Sequence, residues 1–349
     1  MDLVHRLQGP LIVTGSAGFV GARLFTSLLA QRDDVYAIVR DEPGWRLDQI
    51  DTDRIVRCDL NDFDATGRMV EDLAPRTVFH CASYGAYPFE DDATRIYETN
   101  VAALVNLVKR LSGRSVAAFV HSGSSSEYGT NCAGPTEDAP CYPNSTYAAS
   151  KVSAADYLRV VGESWGFPCV NLRLYSVYGP LEDTSRLVPS LVYEALQGRL
   201  PPFVEGDITR DFVHVDDVCE AFVKSAAHMS SSFYGASFNI GTGRCTSIAE
   251  AAETARRIFG VDEQPRFGAM ENRAWDLTDW FADPARAREA FAWEAKVSFE
   301  EGLRSVGEWL SEMTEDEFLA CSKRTGSASG GDIAGPVGGS ISAVIACYR

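Results

Sequence analysis

Long apolar runs, paired cysteines and lysines are what this 349-residue chain has least of. No apolar stretch reaches the roughly 18 residues that span a bilayer, and the N-terminus MDLVHRLQGP lacks a charged segment leading into an apolar one. Neither membrane insertion nor a secretory leader is expected. The nine cysteines, at positions 58, 81, 132, 141, 169, 219, 245, 321 and 347, are scattered, odd in number and without a C-x-x-C pair. They suggest neither a disulfide framework nor a metal site, and they fit a reducing cytoplasm. The net charge of -17 opposes a nucleic-acid or anionic-membrane surface, because the summed field repels phosphates. Any phosphate this chain binds must be gripped locally.

What is present is an alternation. LIVTG (11–15), VYAIV (35–39), IVRC (55–58), TVFHCA (77–82), VAAFVHS (116–122) and CVNLRLY (169–175) are short and apolar throughout, as strands buried on both faces should be. Helix-period stretches lie between them near 19–31, 62–73, 91–111 and 146–165. That order predicts an α/β fold, a doubly wound parallel sheet over 1–176 completed by parts of 205–242. Beyond 177 the alternation loosens into Pro- and Gly-punctuated pieces, read as a smaller α/β lobe over 177–321. Residues 322–340, rich in Gly and Ser, read as a linker.

The first strand runs into TGSAGFVG and then an amphipathic helix, the order of a dinucleotide-binding turn. Gly15 permits the tight turn, Gly18 lets backbone N–H groups approach a pyrophosphate, and Gly21 lets the helix pack closely; Phe19 and Val20 complete the stretch. At the end of the second strand, where a carboxylate would bind the adenosine ribose, stands Val39, followed by Arg40. A guanidinium there favours NADP(H), with NAD(H) left open because Asp41 is adjacent. Asp59, with Leu60 beside it, follows the third strand and is expected at the adenine.

NSTYAASK (144–151) sets Tyr147 and Lys151 four residues apart, on one face of a helix. Thirteen tyrosines and five lysines give about 0.2 such pairs by chance. A cation beside a phenol favours phenolate, so the pair suits proton transfer near neutral pH. In FVHSGSSSEYG a strand ends in hydroxyls, and Ser124 there can hydrogen-bond the oxygen that Tyr147 protonates.

With TGSAGFVG, HCAS, ETNV, SSSEYG, YAASK, LRLYSVYGP, RDFVHVDDV, NIGTG and FEEGL spread over residues 10–310, the chain resembles the extended short-chain dehydrogenase/reductases that act on nucleotide sugars, the epimerase/dehydratase/reductase group. The resemblance implies an NAD(P)-dependent enzyme in which Ser124, Tyr147 and Lys151 are catalytic and Asn100 supports the lysine through water. It implies that Ala82 and Tyr175 meet the cofactor and that Arg210 and Arg273 face a sugar nucleotide's diphosphate, the local grip that the net charge demands. Tyr84 and Tyr87 are candidates for the sugar pocket, with packing in the core as the alternative. Relatives pair through the helix bearing the tyrosine and its predecessor, so a homodimer is implied too.

Departures narrow the reaction. Dehydratases carry an acidic pair where this chain has Ser125 and Ser126, which disfavours 4,6-dehydration. Ser176 replaces an asparagine that touches substrate phosphate in many relatives. Glu127 and the Arg40 region look more like 4-ketoreductases. The leading expectation is therefore NADPH-dependent reduction of a nucleotide-activated 4-keto-6-deoxyhexose, with a nucleotide-sugar 4-epimerase as the alternative and a non-catalytic dinucleotide sensor behind both. The terminal ISAVIACY resembles the opening strand of family 2 glycosyltransferases, so residues 341–349 read either as a tail or as the start of a second, fused module.

Overall fold

The computed structural model describes residues 3–270 and 277–322. The strands are β1 (Leu11–Thr14), β2 (Val35–Val39), β3 (Ile55–Arg57), β4 (Thr77–His80), β5 (Ala118–Ser124), β6 (Cys169–Leu174), β7 (Ser176–Tyr178), β8 (Thr209–Arg210), β9 (Phe212–His214), β10 (Ser237–Ile240) and β11 (Thr246–Ser247). The helices are α1 (Phe19–Leu29), α2 (Phe63–Leu73), α3 (Ala93–Tyr97), α4 (Ala103–Leu111), α5 (Thr146–Trp165), α6 (Leu187–Leu196), α7 (Val215–Ala227), α8 (Ile248–Phe259), α9 (Ala285–Phe291), α10 (Phe299–Ser311) and α11 (Glu315–Ala320).

Seven strands form one sheet in the order β10-β6-β5-β4-β1-β2-β3, every neighbouring pair parallel. The continuous apolar runs have this cause: successive residues point to opposite faces, and both faces are covered. Leu11 and Val13 join the core with Phe25 of α1 and Phe222 of α7, while Ile12 joins Val70 of α2, Leu107 of α4 and Leu158 of α5 on the other side. This is the expected doubly wound sheet. Its seventh strand comes from far along the chain, as β10 pairs with β6. Beside it α6, α8 and α10 enclose a second core around Leu191, Ala252 and Val306, with β7 paired to β9 and β8 to β11.

The helix expected over 91–111 is interrupted. α3 and α4 are joined by a π-helical turn, Glu98–Ala102, which turns the buried Asn100 toward the loop after β4. Such turns cost regular hydrogen bonding and occur where a side chain must be re-aimed. Of the expected linker only Ser322 is described, and the remainder, with the expectation for residues 341–349, lies outside the described residues.

Leu158 is fully buried on the face of α5 that meets the sheet. Leu158→Ala should destabilise the protein by about 2–5 kcal/mol, the range for a large-to-small change in a packed core, read as a lowered denaturation midpoint in urea.

Candidate active site

Gly15 follows β1 with φ +68°, and a Cβ there would stand 2.6 Å from the backbone nitrogen of Ala82. One on Gly21 would run into the carbonyl oxygen of Gly15. Bare backbone is therefore required at both points. The turn closes with Gly18 N–H donating to Gly15 O at 2.9 Å, and Gly18 caps α1. A bare loop at the N-terminus of an 11-residue helix suits a pyrophosphate, since its first amides have no partners inside the helix. The cradle fits a dinucleotide. After β2, Arg40 is exposed with Nε 2.6 Å from Asp41 Oδ2, a surface pair too weak to tie it down. After β3, Asp59 accepts from Asn61 N–H at 3.0 Å.

The hydroxyl and the amine candidates meet across β5 and α5. Ser124 ends β5 and caps a 3-10 turn, Ser125–Tyr128: its Oγ accepts from Ser126 N–H at 3.1 Å while Glu127 Oε1 accepts from Ser124 N–H at 3.0 Å. Ser145 caps α5 by accepting from Ala148 N–H, which starts the helix one residue before Tyr147. The Tyr147 side chain shares the cleft wall with those of Ser124 and Ser83. One turn on, Lys151 is 2% exposed, donates from Nζ to Ser122 O at 2.9 Å and stands 5.6 Å from the centroid of the Tyr147 ring.

Asn100 does not bond the lysine directly. Its Nδ2 donates to Tyr84 O and Ser150 Oγ, and its Oδ1 accepts from Tyr84 N–H and Ser83 Oγ. It therefore ties α5 to the loop after β4. The electrostatics also differ from the expectation that the lysine lowers the phenol. Burial pushes Tyr147 above the ordinary tyrosine value, opposed by the neighbouring hydroxyls of Ser124 and Ser83. Burial likewise pushes Lys151 down, to about 8, against the pull of Glu127 and Cys81. As it stands, Tyr147 is a protonated donor.

One cleft of about 1210 Å³ gathers Gly15, Gly18, Phe19, Val20, Gly21, Arg40, Asp59, Leu60, Ala82, Tyr84, Tyr87, Ser124, Ser125, Tyr147, Tyr175, Ser176 and Arg210 on its walls. That exceeds the roughly 300–1,000 Å³ of ordinary small-molecule sites and leaves room for a second ligand beside a dinucleotide. Lys151 and Asn100 lie buried behind it. Tyr84 and Tyr87 both face the cleft rather than the core, each with an arginine over its ring: Arg95 at 4.4 Å and Arg186 at 4.0 Å. Tyr87 also donates to Asp183 Oδ2 at 3.0 Å. Ser125 Oγ accepts from Trp280 Nε1 at 3.2 Å, and the same indole lies 5.5 Å from the Arg210 guanidinium. Arg273 lies outside the described residues.

A model of the NAD dependent epimerase/dehydratase family matches residues 11–241. The chain belongs to that family. A UDP-glucose 4-epimerase of Mycolicibacterium smegmatis is 34% identical over 311 residues, covering 86% of this chain and 97% of that one. Among solved structures, the UDP-glucose 4-epimerase of Thermotoga maritima with UDP-glucose matches with a TM-score of 0.76 at 26% identity, over 86% of this chain and 98% of that one. MoeE5 in complex with UDP-glucose and NAD matches with a TM-score of 0.74 at 27% identity, over 87% of this chain and 99% of that one.

Within this epimerase/dehydratase fold the cleft holds several side chains that sequence reasoning passed over. Ser83 stands in the quoted HCAS, so a signal existed for it. Arg46 donates to Leu181 O and Ala17 O, joining the glycine loop to the segment after β7. Glu182, whose carboxyl burial pushes up to about 8, lies in that segment with Asp183 and Arg186. No periodicity marks this segment, and only folding brings it to the cleft. Gly15→Val should weaken dinucleotide binding by roughly 100-fold or more, about 2.7 kcal/mol, measured by calorimetric titration with NAD and NADP.

Proposed function

We propose that the chain is a UDP-sugar 4-epimerase that uses Ser124, Tyr147 and Lys151 on a sugar held between Tyr84, Tyr87 and the Arg210 side of the cleft. The observation that carries this reading is that one cleft brings Ser83, Ser124 and Tyr147 to its wall together with the glycine loop. The relatives add weight. The sequence alone led with a ketoreductase, whereas the M. smegmatis and T. maritima proteins are named as UDP-glucose 4-epimerases.

Gly15, Gly18 and Gly21 would hold the dinucleotide's pyrophosphate, and Asp59 and Leu60 its adenine. When bound, it supplies a reversible hydride acceptor. The chain's own part is proton handling. Once its own proton has gone to solvent, Tyr147 as the phenolate would take the proton from the sugar 4-hydroxyl as the carbon is oxidised and return it to the 4-keto oxygen as the carbon is reduced again. Ser124 donates to the same oxygen and keeps it in line. Only as the phenolate forms would Lys151, a buried cation one helical turn on, act against the burial that holds Tyr147 protonated. Arg210 supplies a guanidinium for the diphosphate of the sugar nucleotide.

Incubating the purified protein with UDP-glucose and catalytic NAD should yield UDP-galactose with no net change in absorbance at the reduced-nicotinamide band. Absence of product across UDP-hexoses, UDP-hexuronates and UDP-N-acetylhexosamines would sink the epimerase reading. Tyr147→Phe should lower kcat by about 100- to 10,000-fold, the usual contribution of a positioned proton donor, with dinucleotide affinity changed less than about 2-fold.

Arg40 favours a second reading, the NADPH-consuming 4-ketoreductase, because an exposed guanidinium after β2, held only by a surface pair with Asp41, suits a 2′-phosphate. Arg40→Asp should then reverse the ratio of NADP to NAD affinity. A wild-type protein that already binds NAD more tightly removes the support for this reading.

A further inference from the structure

Directly behind Ser124 lies a fully buried ion pair for which neither the fold nor the reading above gives a reason. Glu127 and Arg173 have side chains 0% and 8% exposed, with Arg173 Nε 2.6 Å from Glu127 Oε2. The other carboxylate oxygen accepts from the backbone N–H of Ser124, and Asn171 Nδ2 is 3.3 Å from both oxygens. Arg173 in turn donates to Tyr128 Oη at 2.8 Å and Glu137 O at 2.9 Å. The arrangement also restricts β5. A Cβ on Gly123 would stand 2.6 Å from Glu127 Oε1.

A pair this deep gives little net stability, because desolvating two ions offsets their attraction. Its location is more informative. The carboxylate is the foremost charge acting on Lys151 and the foremost acting on Tyr147, and it favours the protonated form of each. The other groups that face these two are fewer or weaker: Cys81 toward the lysine, Arg186 toward the tyrosine, and the imidazoles of His80 and His121, which burial keeps neutral.

We propose that Glu127, held by Arg173 and Asn171, is a positioning residue for the reacting set: it fixes the backbone of Ser124 and keeps a negative charge behind Tyr147 and Lys151 that holds the one as a proton donor and the other as an ammonium. The proposal rests on the reading of Ser124, Tyr147 and Lys151 given above. It assigns Glu127 no contact with substrate.

Glu127→Gln keeps an oxygen for Ser124 N–H and removes only the charge, so it separates electrostatics from architecture. Tyrosinate absorbance is followed against pH in the full chain with added NAD, and Tyr147→Phe in the same background is subtracted. The Tyr147 midpoint should fall by about one pH unit in Glu127→Gln, with the pH profile of kcat moving the same way. Glu127→Ala should lower that midpoint equally and reduce kcat by a further factor of about 10, because Ser124 loses its anchor as well. If Glu127→Gln does not fold, the double variant Glu127→Gln/Arg173→Met, which leaves no unpaired charge, carries the same test. An unmoved midpoint in a folded variant overturns the proposal. A lowered midpoint in a protein that turns over no UDP-sugar upholds it and removes the epimerase reading alone.

Discussion

The buried ammonium of Lys151 is the constraint around which the rest of the site is arranged. Taking a lysine out of water is costly, and the protein answers with a carbonyl, Ser122 O at 2.9 Å, and a carboxylate, Glu127, at longer range. Each answer recruits others. Ser122 is presented only because β5 runs unbroken to Ser124, and Glu127 stays in place because Arg173 and Asn171 hold it. His80 and His121 stack beside one another at 5.3 Å on the neighbouring strands β4 and β5. Burial pushes His80 down to about 3, and the lysine's charge adds to that effect, so a second cation does not form next to the first.

The sheet order supplies the other half of the arrangement. β1 has β2 on one side and β4 on the other, so the chain's winding reverses beside β1 and the loops after β1 and β4 separate to leave a crevice. Gly15 and Ala82 meet at the bottom of it, close enough that neither loop tolerates a longer residue at Gly15. The loop after β4 then continues to Ser83 and Tyr84, which Asn100 fastens to Ser150 of α5. One asparagine thus ties the loop that meets Gly15 to the helix that carries Tyr147. That explains why the helix carrying Asn100 gives up regular hydrogen bonding for a π-helical turn.

The features readable in the sequence were those whose cause is local. Apolar runs such as VYAIV are strands because both faces of a parallel sheet are covered, and the glycines of TGSAGFVG are spaced by the turn they make. Tyr147 and Lys151 share a helix face at a spacing that the helix itself dictates. What could not be read depends on distant parts meeting. Arg173 contacts Glu127 across 46 positions, and Arg186, Glu182 and Trp280 reach the cleft from segments with no distinguishing period. The state of the Tyr147 phenol belongs to the same class. Spacing revealed a nearby cation, but the larger effect, burial, is a property of everything packed around the ring.

Net charge and site charge also part company for a physical reason. An overall -17 sets the far field, and that field is screened within about 8–10 Å in physiological salt. Inside the cleft the nearest groups decide, and there Arg40, Arg46, Arg186 and Arg210 line the walls with Lys151 behind them. Arg46 shows how such a cation is kept where it is needed. Burial lowers its hold on its proton, yet two backbone carbonyls, Ala17 O and Leu181 O, and the Trp45 ring at 4.2 Å replace the water it gave up. Because those carbonyls come from the glycine loop and from the segment bearing Glu182 and Asp183, the same guanidinium that suits an anion also fastens the two walls of the cleft to each other. An acidic protein of this kind needs no basic surface to bind a polyanionic ligand, only cations whose solvation the fold itself has replaced.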